Sequence, residues 1–148
     1  MVSNGTYLAA DLYDGDYTLE HGPGMGYSQE VMNKTRLTTE VQRVGFTKAV
    51  AAGVSLAFGS DASVFPHGIQ ARQFSLYVEF GLTTAQAIQS ATRWAAELMR
   101  WEDRVGSLVP GAFADIVGVA GNPLEDVSLL EEVALVMQGG KWVVGPPT

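Results

Sequence analysis

The stretch VSLAFGSDASVFPHG, residues 54–68, passes directly from an apolar run into a Gly-Ser-Asp turn. A short apolar run bounded by turn residues, here 54–58, predicts a buried strand. In parallel α/β folds, ligands bind where the carboxyl ends of the strands meet, and Asp61 lies just beyond such an end. Gly59 and Ser60 are expected to let the backbone turn there. Asp61 is therefore a candidate functional residue, although Asp is also common in helix caps and turns.

The preceding residues predict that this strand belongs to an α/β unit. Residues 6–10 have the pattern of a short buried strand, and the Gly-rich segment 11–28 predicts a loop. Residues 29–52 predict a long helix, with Leu37, Val41 and Val44 at helical spacing and Gly53 as its C-terminal cap. The order strand, loop, helix, strand predicts parallel pairing of the two strands.

The residues after the quoted stretch predict two more helices and then a change of character. Residues 69–80 predict a helix that ends before Gly81, and Thr83-Thr84-Ala85-Gln86 has the form of a capping box that opens the next one. The apolar face of that next helix consists of Ile88, Ala91, Ala95, Leu98 and Met99. After Arg104 we predict strands at 114–119, 134–137 and 142–144, with a hairpin at Gly139-Gly140.

Composition excludes several classes of function. With 148 residues and a net charge of −7, the chain is one acidic globular domain, so nucleic acid is not an expected partner. The absence of Cys excludes disulfides and thiolate metal sites. No apolar stretch is long enough to predict a membrane span, and the first residues do not have the pattern of a signal peptide. The cellular compartment stays unassigned.

Four segments, taken in order, resemble the C-terminal part of the metal-dependent amidohydrolase superfamily. GVSLAFGSDA (53–62) resembles its eighth barrel strand, and PHG (66–68) resembles the loop that follows in the dipeptidase-like members. GLTTAQAIQSATRWAAELM (81–99) resembles the next helical region. DRVGSLVPGAFADIVGVAGNPLEDVSLLEEVALVMQGGKWV (103–143) resembles the family's ending, where the chain rejoins a β-sandwich. The resemblance is closest to Xaa-Pro dipeptidases and imidazolonepropionase-like enzymes.

This resemblance implies a fold, a reaction and two site residues. Residues 1–103 would be the last two strands and helices of a (β/α)8 TIM-type barrel, and residues 104–148 the C-terminal part of a small β-sandwich. The complete enzyme would use zinc or another divalent metal to hydrolyse a C–N bond in a dipeptide or other small molecule. Asp61 matches the strand-eight carboxylate, which binds metal and transfers a proton, and His67 matches a position near the substrate.

The sequence lacks most of the ligands that such a site requires. It contains two histidines, His21 and His67, and no His-x-His pair, whereas a catalytic zinc normally has about three protein ligands. His21 lies in a Gly-rich segment and is expected to be an exposed loop residue. A complete barrel takes ~250 residues, so we expect the chain alone to be inactive and not to bind zinc stably.

Three interpretations follow from this shortage of ligands. The chain is a C-terminal fragment of an amidohydrolase, whose missing partner is the N-terminal part of the barrel. Alternatively, it is a non-catalytic α/β binding module or remnant. In the third interpretation, it complements a separately encoded N-terminal piece. Because two strands alone leave open sheet edges and uncovered apolar surface, self-association is also expected.

Overall fold

The computed structural model describes residues 1–145 and shows a mixed α/β fold with two separate sheets. The predicted second unit extends to residue 148, so its last three residues lie outside the described part. The strands are β1 (Tyr7–Ala10), β2 (Ser55–Phe58), β3 (Ile116–Val119), β4 (Val133–Gln138) and β5 (Lys141–Val144). The helices are α1 (Tyr13–His21), α2 (Gln29–Ala51), α3 (Arg72–Glu79), α4 (Thr84–Ala91) and α5 (Arg93–Met99), with 3-10 helices at Val2–Asn4 and Val127–Glu131.

The first sheet confirms the predicted parallel pairing. β1 and β2 pair in parallel with Leu8 opposite Leu56 and Ala10 opposite Phe58. The long helix α2 connects them and buries Phe46, whose ring stacks on Tyr77 of α3 with centroids 4.9 Å apart. The residues of this core that are buried most deeply are Ala10, Leu12, Phe46, Leu56, Tyr77, Leu82 and Ala87. The core thus joins the sheet to the helices that follow each strand.

The segment predicted as a loop, 11–28, contains the helix α1, so that prediction was wrong. Its glycine at position 15 is a packing residue, because a Cβ there would collide with the hydroxyl of Thr39 on α2. Asp14 and Asp16 lie in the first turn of α1, where acidic side chains interact favourably with the helix dipole. Asp16 also forms an ion pair with Arg43 of α2. By themselves these Gly and Asp residues indicate a loop. In the structure they belong to a helix that packs closely on α2.

The later helices differ from the predictions at their boundaries. The helix predicted at 69–80 begins at Arg72. The capping box is confirmed, because the Thr83 hydroxyl accepts from Gln86 N and the Gln86 side chain accepts from Thr83 N. The helix that it opens is interrupted at Thr92, whose φ of −123° and ψ of −95° separate α4 from α5. Gly106 packs against the Thr92 carbonyl, so tertiary contact accompanies the break.

The second sheet agrees with the three predicted strands and the hairpin. β3, β4 and β5 form an antiparallel sheet in that order, with Gly139 and Gly140 at positive φ between β4 and β5. A groove of about 530 Å³ lies between this sheet and the helices, and Ile88, Ala91, Ala95 and Met99 are among its lining residues. Four of the five residues predicted as one apolar face therefore point into the same space.

Helix α2 has an apolar stripe on the side opposite its buried face. Leu37, Val41 and Val44 are 62%, 64% and 54% exposed. At about 100° per residue they lie roughly opposite Phe46, which contacts the core. The helical spacing was predicted correctly, but these residues do not face the core of the described chain. Within residues 1–145, no helix is both long enough and apolar enough to cross a membrane.

Candidate active site at the strand ends

The carboxyl ends of β1 and β2 bring aspartates from two loops to one edge of the sheet. The strands run in parallel with Ala10 opposite Phe58, so both chains leave the sheet on the same side. Asp11 follows β1 directly, and Asp61 lies three residues after β2. Burial is the main cause that raises the pKa of Asp11, and the negative charge of Asp61 acts in the same direction. The strand ends therefore form a small acidic site.

Asp61 lies in a tight turn at this edge and its side chain is exposed. Its φ of 44° is in the left-handed region, which Asp tolerates better than most residues. The Asp61 carbonyl oxygen accepts hydrogen bonds from Ser63 N at 2.7 Å and Val64 N at 3.1 Å. This turn presents the carboxylate to solvent at the strand end.

Gly59 suits this position for a reason other than the one expected from the sequence. Its φ is not positive. A Cβ at this position would lie 3.1 Å from the Ala10 carbonyl oxygen, to which Gly59 N donates at 3.2 Å. Glycine therefore lets the chain after β2 approach the end of β1, which holds the loop of Asp61 close to Asp11.

Burial raises the pKa of Asp11, which precedes α1, and the pKa of Asp14, which lies in its first turn. Burial is the main cause that raises the pKa of Asp11, the Asp61 charge adds to it, and a hydrogen bond from Gln42 Nε2 to Asp11 Oδ1 at 3.2 Å opposes it. Burial also raises the pKa of Asp14, and the charges of Asp11 and Asp61 act in the same direction. Like charges that share a partly desolvated site have this effect on carboxyl groups.

Two buried side chains of α3 bind the backbone at these strand ends. Gln73 Oε1 accepts from Leu12 N at 2.6 Å and its Nε2 donates to Ala10 O at 3.1 Å. The Tyr77 hydroxyl donates to Ala10 O at 2.6 Å. Burial raises the pKa of Tyr77 to about 12, so the hydroxyl stays protonated and able to donate at neutral pH.

The two histidines occupy separate places. His67 is exposed, and its Nδ1 lies 3.3 Å from Gln70 Nε2; among the hydrogen bonds of residues 1–145 none joins it to Asp61. His21 is exposed as expected, but it ends helix α1 and is not a loop residue. Its ring stacks on Tyr17 with centroids 4.1 Å apart, and its Nδ1 is 3.1 Å from the Tyr17 carbonyl oxygen.

The donor set of the described residues does not fit a complete metal site. No group of three or more His, Cys, Asp or Glu side chains within residues 1–145 is arranged to hold a metal ion. Asp61 and Asp11 provide carboxylates at the strand ends, but neither histidine joins them in a cluster. A metal at this edge would therefore need further ligands from outside the described residues.

Sequence reasoning missed Asp11, Gln73 and Tyr77 at this site. A signal for Asp11 was present, since it follows a predicted strand just as Asp61 does. It was overlooked because the segment after it was interpreted as a solvated loop. Gln73 and Tyr77 had no comparable signal, because a polar residue in an amphipathic helix does not reveal which backbone groups it will meet.

The raised pKa of Asp11 predicts that the Asp11→Asn variant is more stable than the wild type at pH 7. A carboxyl group whose pKa is higher in the folded state destabilises the fold when ionised. This penalty is absent below the unfolded value of 3.8 and is complete above the folded pKa. Asn retains the oxygen that accepts from Gln42. Urea unfolding at pH 3.5 and pH 7 should show a difference only at the higher pH.

The control for this prediction is Asp103→Asn, which neutralises an exposed carboxylate elsewhere in the chain. It should leave the free energy of unfolding at pH 7 almost unchanged. An Asp11→Asn variant that is less stable than the wild type at pH 7 would show that the ionised carboxylate stabilises the strand end.

Comparison with known proteins identifies the class. Residues 1–143 match the model of the amidohydrolase family. The ochratoxinase of Aspergillus niger is 32% identical over 128 residues, which are 83% of this chain and 26% of that protein. The chain spans about a quarter of the length of this curated relative.

Solved structures give the same result. A Xaa-Pro dipeptidase with methionine bound in its active site superposes with a TM-score of 0.90 and 38% identity, covering 98% of this chain and 36% of that one. A prolidase complexed with N-methylphosphonate-L-proline has a TM-score of 0.86 and 31% identity, covering 97% and 36%. The chain is thus a mixed α/β segment that matches about a third of these structures. The chain belongs to the amidohydrolase family, which is generally metal-dependent.

Proposed function

We propose that this chain forms the C-terminal segment of a metal-dependent amidohydrolase that cleaves a peptide or related C–N bond, as Xaa-Pro dipeptidases do. The observation that carries the proposal is the agreement with a Xaa-Pro dipeptidase over 98% of the chain at a TM-score of 0.90. Asp61 lies at the strand end within this matched region. In this assignment β1 and β2 are the last two strands of a (β/α)8 barrel, residues 1–103 belong to the barrel, and residues 104–148 belong to a β-sandwich.

The two proposed site residues have different roles. Asp61 would provide one carboxylate ligand to a divalent cation, zinc in the first instance, and would accept a proton from the attacking water. Such a cation, when bound, lowers the pKa of water toward neutrality. His67, on the exposed loop after β2, binds the small-molecule or dipeptide substrate. In this proposal the chain alone does not bind the cation stably and is inactive by itself.

The proposed partner is the remainder of the amidohydrolase. The related structures are almost three times as long as the matched region, since the chain covers 36% of each. Two features of the described chain offer surface to such a partner. β1 and β2 pair only with each other in residues 1–145, and the apolar stripe of Leu37, Val41 and Val44 on α2 is exposed. Without this partner, the same surfaces are expected to cause self-association.

Reconstitution tests the proposed function. The chain is co-expressed with the part of the related Xaa-Pro dipeptidase that precedes the matched region, zinc is added, and hydrolysis of Xaa-Pro dipeptides is measured. We expect activity from the pair and none from either piece alone. A purified pair that binds zinc and cleaves no dipeptide would favour the alternative, a non-catalytic binding module or remnant. Activity from the isolated chain would show that its ligand set is complete.

A further inference from the structure

Helix α3 carries two fully buried polar side chains on one face. Gln73 and Tyr77 are each 0% exposed and are four residues apart, so they lie one above the other along the helix. Burial of an amide or hydroxyl group is costly unless the group is hydrogen-bonded. An apolar pair would fill the same space without that cost, so the polar atoms require a specific explanation.

Gln73 forms hydrogen bonds with backbone groups in the connection between β1 and α1. Its Oε1 accepts from Leu12 N at 2.6 Å and from Tyr13 N at 3.2 Å, and its Nε2 donates to Ala10 O at 3.1 Å. These backbone groups are on both sides of Asp11. The single amide therefore determines the path of the chain through that residue.

Tyr77 connects the ends of the two strands. Its hydroxyl donates to Ala10 O of β1 at 2.6 Å and lies 3.4 Å from Ala57 O of β2. The Tyr77 hydroxyl oxygen also accepts from Gly59 N at 3.4 Å. Gly59 is two residues before Asp61, at the beginning of the turn that presents the carboxylate. One hydroxyl thus links the β1 end to the segment that leads to Asp61.

We infer that Gln73 and Tyr77 are positioning residues, which hold the strand-end backbone so that Asp61 has a fixed place at the active site. This inference rests on the proposed function for its catalytic meaning. The backbone contacts are independent of that function. Both side chains act through the main chain, and neither shares a hydrogen bond with the Asp61 carboxylate among the described residues. Their role is therefore distinct from those of the proposed ligand and substrate residues.

Hydrogen exchange measured by mass spectrometry on the 148-residue chain tests the positioning role. The variants are Tyr77→Phe, which removes the hydroxyl alone, and Gln73→Met, which keeps the side-chain length without the amide. We expect exchange in peptides covering 9–14 and 57–63 to rise about tenfold, as loss of a buried hydrogen bond implies. The hairpin of β4 and β5 should exchange at the wild-type rate.

Two controls separate positioning from general stability. Leu82→Val reduces the same core near the opposite ends of the strands, and Ser90→Ala removes a buried hydroxyl whose bond stays within its own helix. Neither should raise exchange selectively at the strand ends. The inference is overturned if Tyr77→Phe and Gln73→Met leave the strand-end peptides protected, or if Leu82→Val raises their exchange equally.

The reconstituted enzyme adds a functional readout. Tyr77→Phe should lower kcat about tenfold and leave KM within about twofold, because a displaced carboxylate impairs proton transfer more than substrate binding. Leu82→Val should leave both parameters within about twofold. Equal kinetics for Tyr77→Phe and wild type would refute the positioning role. An inactive wild-type pair would refute the proposed function, while the exchange data would still decide whether the strand ends are held by α3.

Discussion

The Asp61→Asn variant of the reconstituted enzyme is expected to lose at least about a thousandfold in kcat/KM for Xaa-Pro dipeptides. Asn has nearly the same shape as Asp but cannot accept a proton at neutral pH and is a weaker cation ligand. It also tolerates the left-handed φ of 44° at this position. The loss would therefore report on the carboxylate and not on backbone strain, which Ala would introduce.

The matched control is Asp103→Asn, which removes an exposed carboxylate away from the strand ends. Its kcat/KM should equal that of the wild type within about twofold. Zinc content of both variants is measured in parallel, because loss of a ligand and loss of a base differ in that quantity. If Asp61→Asn retained a tenth or more of the wild-type activity, Asp61 would be neither the base nor a necessary ligand.

The core of the first sheet could be predicted because its signals are local. The apolar run at 54–58 and the long helical pattern at 29–52 correspond to β2 and α2, and the parallel pairing follows from their order. The capping box at Thr83 is a self-contained motif, and it was found for the same reason. In each case the residues that form the element also carry the pattern that predicts it.

The parts that could not be predicted depend on contacts between distant residues. Gly15 indicates a loop by itself, yet it permits α1 to pack on Thr39 of α2. Thr92 interrupts a helix whose apolar pattern is continuous, and Gly106 packs against it. Gln73 reaches residues 61 and 63 positions away in the chain. No window along the sequence contains both members of these pairs.

The candidate site was half predictable. Asp61 was identified because it follows an apolar strand, and the structure places it after β2 at the same sheet edge as Asp11. The roles assigned to Asp61 and His67 stay predictions, since they depend on substrate and cation. The acidic pair became visible only when parallel pairing in register brought two loops together.

The apolar stripe of α2 leads to the second large expected effect. In the double variant Leu37→Glu and Val41→Glu, the isolated chain should change from an oligomer to a monomer, and reconstituted activity at fixed concentration should fall at least about a hundredfold. Burial of a Leu or Val side chain contributes about 1.5–3 kcal/mol, and a buried unpaired carboxylate adds a further cost. Size-exclusion chromatography with light scattering measures the first effect, and dipeptide hydrolysis measures the second.

The double variant Thr38→Glu and Gly45→Glu is the matched control, because it adds the same charge on the same helix. Thr38 and Gly45 are exposed and lie on one side of the stripe, about 90° and 70° around α2 from its centre, and a Cβ at Gly45 meets no neighbouring atom. This control should associate like the wild type in both assays. If both double variants weakened association equally, added charge would explain the effect. If the stripe variant behaved like the wild type, the surface that joins this chain to the rest of the enzyme would lie elsewhere, with the open edges of β1 and β2 as the next place to examine.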